Sequence, residues 1–135
     1  MPTISWAALT DTEKNCLVAE NVFGLIPCRS RSYTPLIAGY SSIVQCEHTI
    51  VSDRPLHCYD PKYPQNYLTG DGMLEVIEKM RVESFFLAAM CDLQFGEKQV
   101  IFRNQESKSA AGIASDFPSA TALAALRTVG IKIKD

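Results

Sequence analysis

The sequence predicts an α+β domain, an antiparallel hairpin with helices laid over it. Three observations predict it. The stretch 115–131, SDFPSATALAALRTVGI, carries a start, an apolar stripe and a stop for one helix. The stretch 84–103 holds two apolar, β-prone runs on either side of Phe95-Gly96-Glu97-Lys98. Two further segments repeat apolar residues at helical spacing. Antiparallel strands covered by helices make a layered α+β domain.

The last helix reads most clearly. Ser115 and Asp116 can each cap its N-terminus, because a short side-chain oxygen accepts from backbone N–H groups that lack a partner. Pro118 sits in the first turn, where its missing N–H costs nothing. Ala120, Ala122, Ala124 and Ala125 are strong helix formers. Ala122, Leu123, Leu126 and Val129 form one apolar stripe, and Gly130 suits the left-handed position that ends a helix. Arg127 in the last turn opposes the negative end of the dipole. The alanines let a neighbour approach closely, so this helix is expected to be buried on a broad face.

The other elements follow in order. Residues 1–10 are an arm or short strand anchored by Trp6 and Leu9. Thr10-Asp11-Thr12-Glu13 has the spacing of a capping box. Its helix runs to about Phe23, with Val18 and Val22 on one face and Gly24 as the stop. Thr69 or Asp71 caps the next helix, where Met73, Val76, Ile77 and Met80 share a face. Glu75 and Lys79 are spaced for an i, i+4 ion pair. Residues 84–94 read as a strand, 95–98 as a turn and 99–103 as a second strand. Residues 104–114, NQESKSAAGIA, read as a small, polar linker into the last helix.

Residues 26–66 form an irregular insert, rich in Cys, His, Tyr and Pro. Pro27, Pro35, Pro55, Pro61 and Pro64 rule out long helices there. One strand is plausible within 42–51, where Ile43, Val44, Ile50 and Val51 favour extended structure.

Length and composition bound the rest. The chain of 135 residues fits one domain, 1–135. The formal net charge of −2 gives no global basic field for nucleic acid or an anionic membrane. No apolar run reaches the roughly 18 residues of a span, and the N-terminus lacks a basic and apolar leader. Five cysteines, an odd number, point to reduced thiols in a cytoplasm. Cys16 and Cys91 fall in apolar segments and read as small buried hydrophobes.

Four constellations could carry chemistry. Cys28, Cys46, His48, His57 and Cys58 carry zinc-type ligands, but their spacing matches no standard template; free thiols and surface histidines explain them equally. A loop at 107–119, with Lys108, Ser109 and Ser115, feeds a helix N-terminus and so resembles an anion site. It lacks the Gly-Lys order of a phosphate loop, and Asp116 opposes an anion. Pairing Cys46 with His48, or Cys58 with His57, leaves no third orienting group for nucleophilic catalysis. Asp53, Asp60, Glu75 and Glu78 are scattered. Arg29, Arg31 and Tyr33, with Arg54, His57 and Lys62, can hold phosphates and stack a base, or can be a solvated loop.

Three segments together resemble the small phage-encoded ABA-sandwich proteins. They are Leu17-Val18-Ala19-Glu20 with Val22 and Gly24; Tyr67-Leu68-Thr69 with Val76-Ile77-Glu78-Lys79; and Leu123-Ala124-Ala125-Leu126 with Val129-Gly130-Ile131. The ordered set covers about a third of the chain. The chain departs from the pattern near Leu74, where an aromatic is usual, and in its long insert. The resemblance implies a three-layer α/β/α sandwich of phage or prophage origin, and it implies no catalytic residues. The expectation is a non-enzymatic, homo-oligomeric accessory protein of the infected host's cytoplasm, without a cofactor. It would sequester a nucleotide-derived immune signal through Arg29, Arg31, Tyr33, Lys108, Ser109 and Ser115. The alternative is a module that inhibits a host or phage protein through the insert, with zinc as an optional staple.

Overall fold

Seven consecutive residues of the last helix, 120–126, are buried. A helix turns through all directions in that length, so it is enclosed on every side. The computed structural model describes residues 3–27, 33–35, 43–46 and 58–134. In chain order the elements are β1 (Ile4–Ser5), α1 (Asp11–Asn21), β2 (Ile26–Pro27), β3 (Tyr33–Pro35), β4 (Ile43–Cys46), β5 (Cys58–Tyr59), α2 (Gly70–Val82), β6 (Phe86–Asp92), β7 (Lys98–Arg103), β8 (Ser109–Ala114), α3 (Phe117–Thr128) and β9 (Ile133–Lys134). The class is α+β with an antiparallel sheet, as the sequence predicts.

The main sheet has the order β6-β7-β8 and is antiparallel throughout. α3 packs on β7 and β8, and meets α2 and α1 on its other sides. A parallel pair, β1 with β9, joins the N-terminal arm to the C-terminal segment. A second sheet, β2-β5-β4-β3, gathers the described strands of the insert.

Residues 104–114 are the main correction to the expected linker. A tight turn leads into β8, which pairs along its whole length with β7. Ser-Ala-Ala-Gly-Ile-Ala has weak strand propensity, so local preference hides it. Packing explains the composition. A Cβ built on Gly112 would lie 2.3 Å from the Ala120 carbonyl oxygen and 2.6 Å from the Ala124 amide nitrogen. The strand and helix backbones touch at this point, and only small residues permit it.

The expected helix ends hold. Thr10 and Glu13 close the capping box reciprocally, at 3.2 and 3.0 Å. Thr69 caps α2 by accepting from the Gly72 amide at 3.1 Å. Asp116 caps α3 by accepting from the Ser119 amide at 2.8 Å. Gly24 and Gly130 take positive φ, as helix stops require. The hairpin reverses at 94–96, where Phe95 and Gly96 both have positive φ and the Leu93 amide donates to the Glu97 carbonyl.

Other local expectations shift. Val129 lies past the end of α3 and is 44% exposed, so it leaves the apolar stripe. Cys91 is exposed on the edge strand β6 rather than buried. Glu75 accepts from Gln65, while Lys79 pairs with Glu83 at 3.1 Å, toward the negative end of α2. The insert and the residue just after it also enter the core. Tyr59 and Tyr67 are almost wholly buried, and Tyr67 stacks on Phe23 with ring centroids 4.8 Å apart. Asn15, a buried polar residue of α1, accepts from the Tyr67 amide at 2.8 Å and pins the approach to α2.

Gly112→Ala is expected to destabilise the fold by about 3 kcal/mol, the upper part of the overpacking range, because backbone atoms cannot move aside. Chemical denaturation measures it. Gly130→Ala, with nothing within 4 Å of the added Cβ, carries only the strain of its positive φ and serves as the control.

Candidate functional site

The helices α1, α2 and α3 end at one place. Asn21, Val22, Phe23 and Gly24 from the end of α1, Lys79, Met80 and Glu83 from α2, and Thr128 and Val129 from α3 line a cavity of about 370 Å³, with Phe85 beside them. The arrangement follows from local rules. Gly24 stops α1 in the left-handed region, the Glu83 amide closes α2 on Lys79 and Arg81 carbonyls, and the Val129 amide closes α3 on Ala125 and Arg127 carbonyls.

The convergence sets the electrostatics. Helix C-termini carry partial negative charge. The side chains add acceptors. Asn21 commits one N–H of its amide to the Leu17 carbonyl at 2.9 Å, and its carbonyl oxygen is left to accept. Thr128 donates to the Ala125 carbonyl at 2.6 Å, which leaves its oxygen lone pairs. Lys79 is the one cation among the lining residues, and Glu83 holds it. The cavity thus favours hydrogen-bond donors within and an anion only at Lys79. Its aromatic surface comes from Phe23 and Phe85.

No protein-family model, curated protein or solved structure matches this chain.

The residues singled out in the sequence fall elsewhere. Lys108 and Ser109 lie at the tip of the β7–β8 turn, where Asn104 accepts from the Lys108 amide at 2.9 Å. Ser115 lies at the far end of β8, roughly 20 Å away at strand rise. The three therefore do not form one anion site, because the supposed loop between them is a strand. The lysine beside the α3 N-terminus is Lys98. It pairs with Asp92 and sits 5.6 Å from the Phe117 ring centroid. Sequence distance hid it; only strand register brings position 98 opposite Ala114.

Tyr33 is on β3 at the register position opposite Cys46 on β4, and Cys58 on β5 is opposite Val44. The second sheet thus brings three of the candidates onto neighbouring strands. Arg29, Arg31, Cys28, His48 and His57 lie outside the described residues, as do Asp53 and Arg54. Among the described residues, no group of three or more His, Cys, Asp or Glu is placed to hold a metal ion. Glu75 and Glu78 are solvent-facing, as expected, and Glu78 pairs with Arg81. Asp60 is buried and accepts from the Lys62 amide at 2.9 Å.

One part-buried polar cluster, around the buried Tyr59, had no signal in the sequence. The Tyr59 hydroxyl donates to Glu20 at 2.7 Å, and the Cys16 thiol lies 3.5 Å from the Pro61 carbonyl oxygen. Burial pushes the Cys16 thiol up, so it is a poor thiolate. Burial, then the hydrogen bond to Glu20, pushes the Tyr59 phenol far above its ordinary value. Burial does the same to Tyr67, with the Glu75 carboxylate adding to it.

The sign of the pH effect follows. A phenol whose folded pKa is raised binds its proton longer in the folded state, so stability is full below the ordinary phenol pKa and falls as pH rises above it. Spectrophotometric titration of the phenols measures it. Tyr59 and Tyr67 are expected to ionise only with alkaline unfolding, followed by circular dichroism. Their ionisation in the folded protein near pH 10 contradicts this assignment.

Proposed function

We propose that the protein binds and sequesters a small nucleotide-type molecule, as a phage accessory protein acting against a host immune signal. The class of protein rests on the resemblance of its three helices to the phage ABA-sandwich proteins. The observation that carries the binding mode is the cavity of about 370 Å³ at the converging helix ends, a size in the range of ligand sites. Its chemistry suits the base of a nucleotide. Phe23 and Phe85 offer apolar ring surface, and Asn21, Thr128 and the helix ends present acceptors to exocyclic amino groups. Lys79 at the same cavity is the group to meet a phosphate. On this reading the contacts lie away from Lys108, Ser109 and Ser115. Arg29, Arg31 and Tyr33 remain candidates for the phosphate side of the same ligand class.

Calorimetric titration with cyclic dinucleotides and ADP-ribose-type molecules tests this reading. Uptake is expected, with release of the unchanged molecule on heating. Asn21→Leu is expected to weaken binding about tenfold, the equivalent of one hydrogen bond of roughly 1.4 kcal/mol. No uptake, or recovery of an altered molecule, overturns it.

A second reading is favoured by a different surface. Phe23, Leu74 and Val82, bordered by Glu75, Glu78 and Lys79, form an open groove of about 480 Å³. Leu74 is 60% and Val82 62% exposed, which suits an amphipathic helix of a partner protein. An interaction module of this kind is expected to co-purify with a host or phage protein and to lose it on Leu74→Glu, with the nucleotide titrations silent. Retention of that protein by the Leu74→Glu variant removes the groove from consideration.

A further inference from the structure

The sheet order β6-β7-β8 leaves two edge strands, and the protein treats them differently. At β8, Arg127 of α3 donates to the Ala111 carbonyl at 2.8 Å, while its other nitrogens hold the Ile133 carbonyl at 2.8 and 3.3 Å. A guanidinium thus occupies a hydrogen-bonding position on that strand. β6 has β7 as its only strand partner among the described residues.

An unpaired strand edge is a template for another strand, and proteins usually blunt it with proline, lysine or inward charge. Phe-Leu-Ala-Ala-Met-Cys-Asp contains no proline and no lysine. Its single charge, Asp92, is already paired with Lys98 of the same chain. A bulge between Leu87 and Ala89 bends the strand but adds no charge. Phe86, Leu87 and Met90 are 44%, 39% and 38% exposed. Register puts Phe86 on one face of the sheet, opposite Arg103, and Leu87 and Met90 on the other, opposite the buried Phe102 and Val100. Apolar surface is therefore open above and below the unpaired edge.

We propose that β6 is a homodimer interface, at which a second copy of this chain pairs its own β6 antiparallel about a two-fold axis to give one six-stranded sheet. A second copy fits for three reasons. Antiparallel pairing of identical strands is self-complementary and closes at two. An identical strand brings apolar side chains to both faces, matching those already exposed. With Asp92 neutralised within each chain, two copies meet without like-charge repulsion. Phe86, Leu87 and Met90 do not line the cavity of the helix ends, so dimerisation and ligand uptake are separable.

Light scattering and sedimentation of the full chain at micromolar to millimolar concentration test it. The expected mass is twice the 14.9 kDa of the chain. Met90→Lys and Leu87→Lys are expected to return it to 14.9 kDa with unchanged circular dichroism. Hydrogen exchange on the unaltered protein gives a second readout that does not depend on the variants folding. The outward β6 amides, those not bonded to β7, should be protected in the dimer and lose that protection on dilution. A single-chain mass throughout overturns the proposal. So does a dimer that survives both well-folded variants, an assembly larger than two, or outward β6 amides that exchange freely in the dimer. Capture of a foreign strand by a protein that stays monomeric at every concentration equally overturns it.

Discussion

The fold depends on one close approach, the backbone of β8 against the backbone of α3 at Gly112. A side chain there would fall 2.3 Å from the Ala120 carbonyl, so the position tolerates only hydrogen. From that contact the rest follows. The helix lies low on the sheet, Val100 and Phe102 fill the space beside it, and α1 and α2 close over its other faces. Residues 120–126 are then buried around the whole helix, which explains why Thr121 is buried and satisfies its hydroxyl on the Phe117 carbonyl at 2.7 Å. The small residues of β8 and of α3 are two halves of one packing solution.

That geometry also arranges the surfaces where binding can occur. Because α3 is central and α1 and α2 flank it, the three helix C-termini meet at one end. They form a cavity rich in acceptors, with Lys79 as its cation. The helix N-termini are spent on their own caps, Thr10, Thr69 and Asp116. An anion site built on the α3 N-terminus would have to displace the Asp116 carboxylate. The cavity is accordingly the stronger candidate, with opposite polarity to the one the serine-rich loop suggested.

Arg127 shows how position changes the meaning of a residue. In sequence it is a cation in a last turn, a dipole partner. In the structure it bonds the carbonyls of Ala111 and Ile133, tying α3 to β8 and to the β1–β9 pair. The same guanidinium sits on the β8 edge, whereas β6 has only β7 beside it among the described residues. One edge of this small sheet thus carries a guanidinium from α3, and the role of Arg127 there does not show in its sequence position.

Residue order alone was enough to read what short-range chemistry controls. Capping boxes, glycine stops and i, i+4 stripes act within one turn of chain, so α1, α2, α3 and the hairpin were legible with their caps. It also carried the apolar character of β6. Tertiary structure alone decided what rests on strand register and helix approach. Ser-Ala-Ala-Gly-Ile-Ala became a strand because α3 needs a smooth surface, against its local preference. Register put Lys98 rather than Lys108 beside the α3 N-terminus, and set Lys108 and Ser115 at opposite ends of β8. Asn15, Tyr59 and Glu20 acquired partners about 40 to 50 residues away, a distance no local pattern encodes. The physical reason is the range of the forces: caps and periodicity are read over four residues, whereas a cavity or a sheet edge exists only once distant segments have packed.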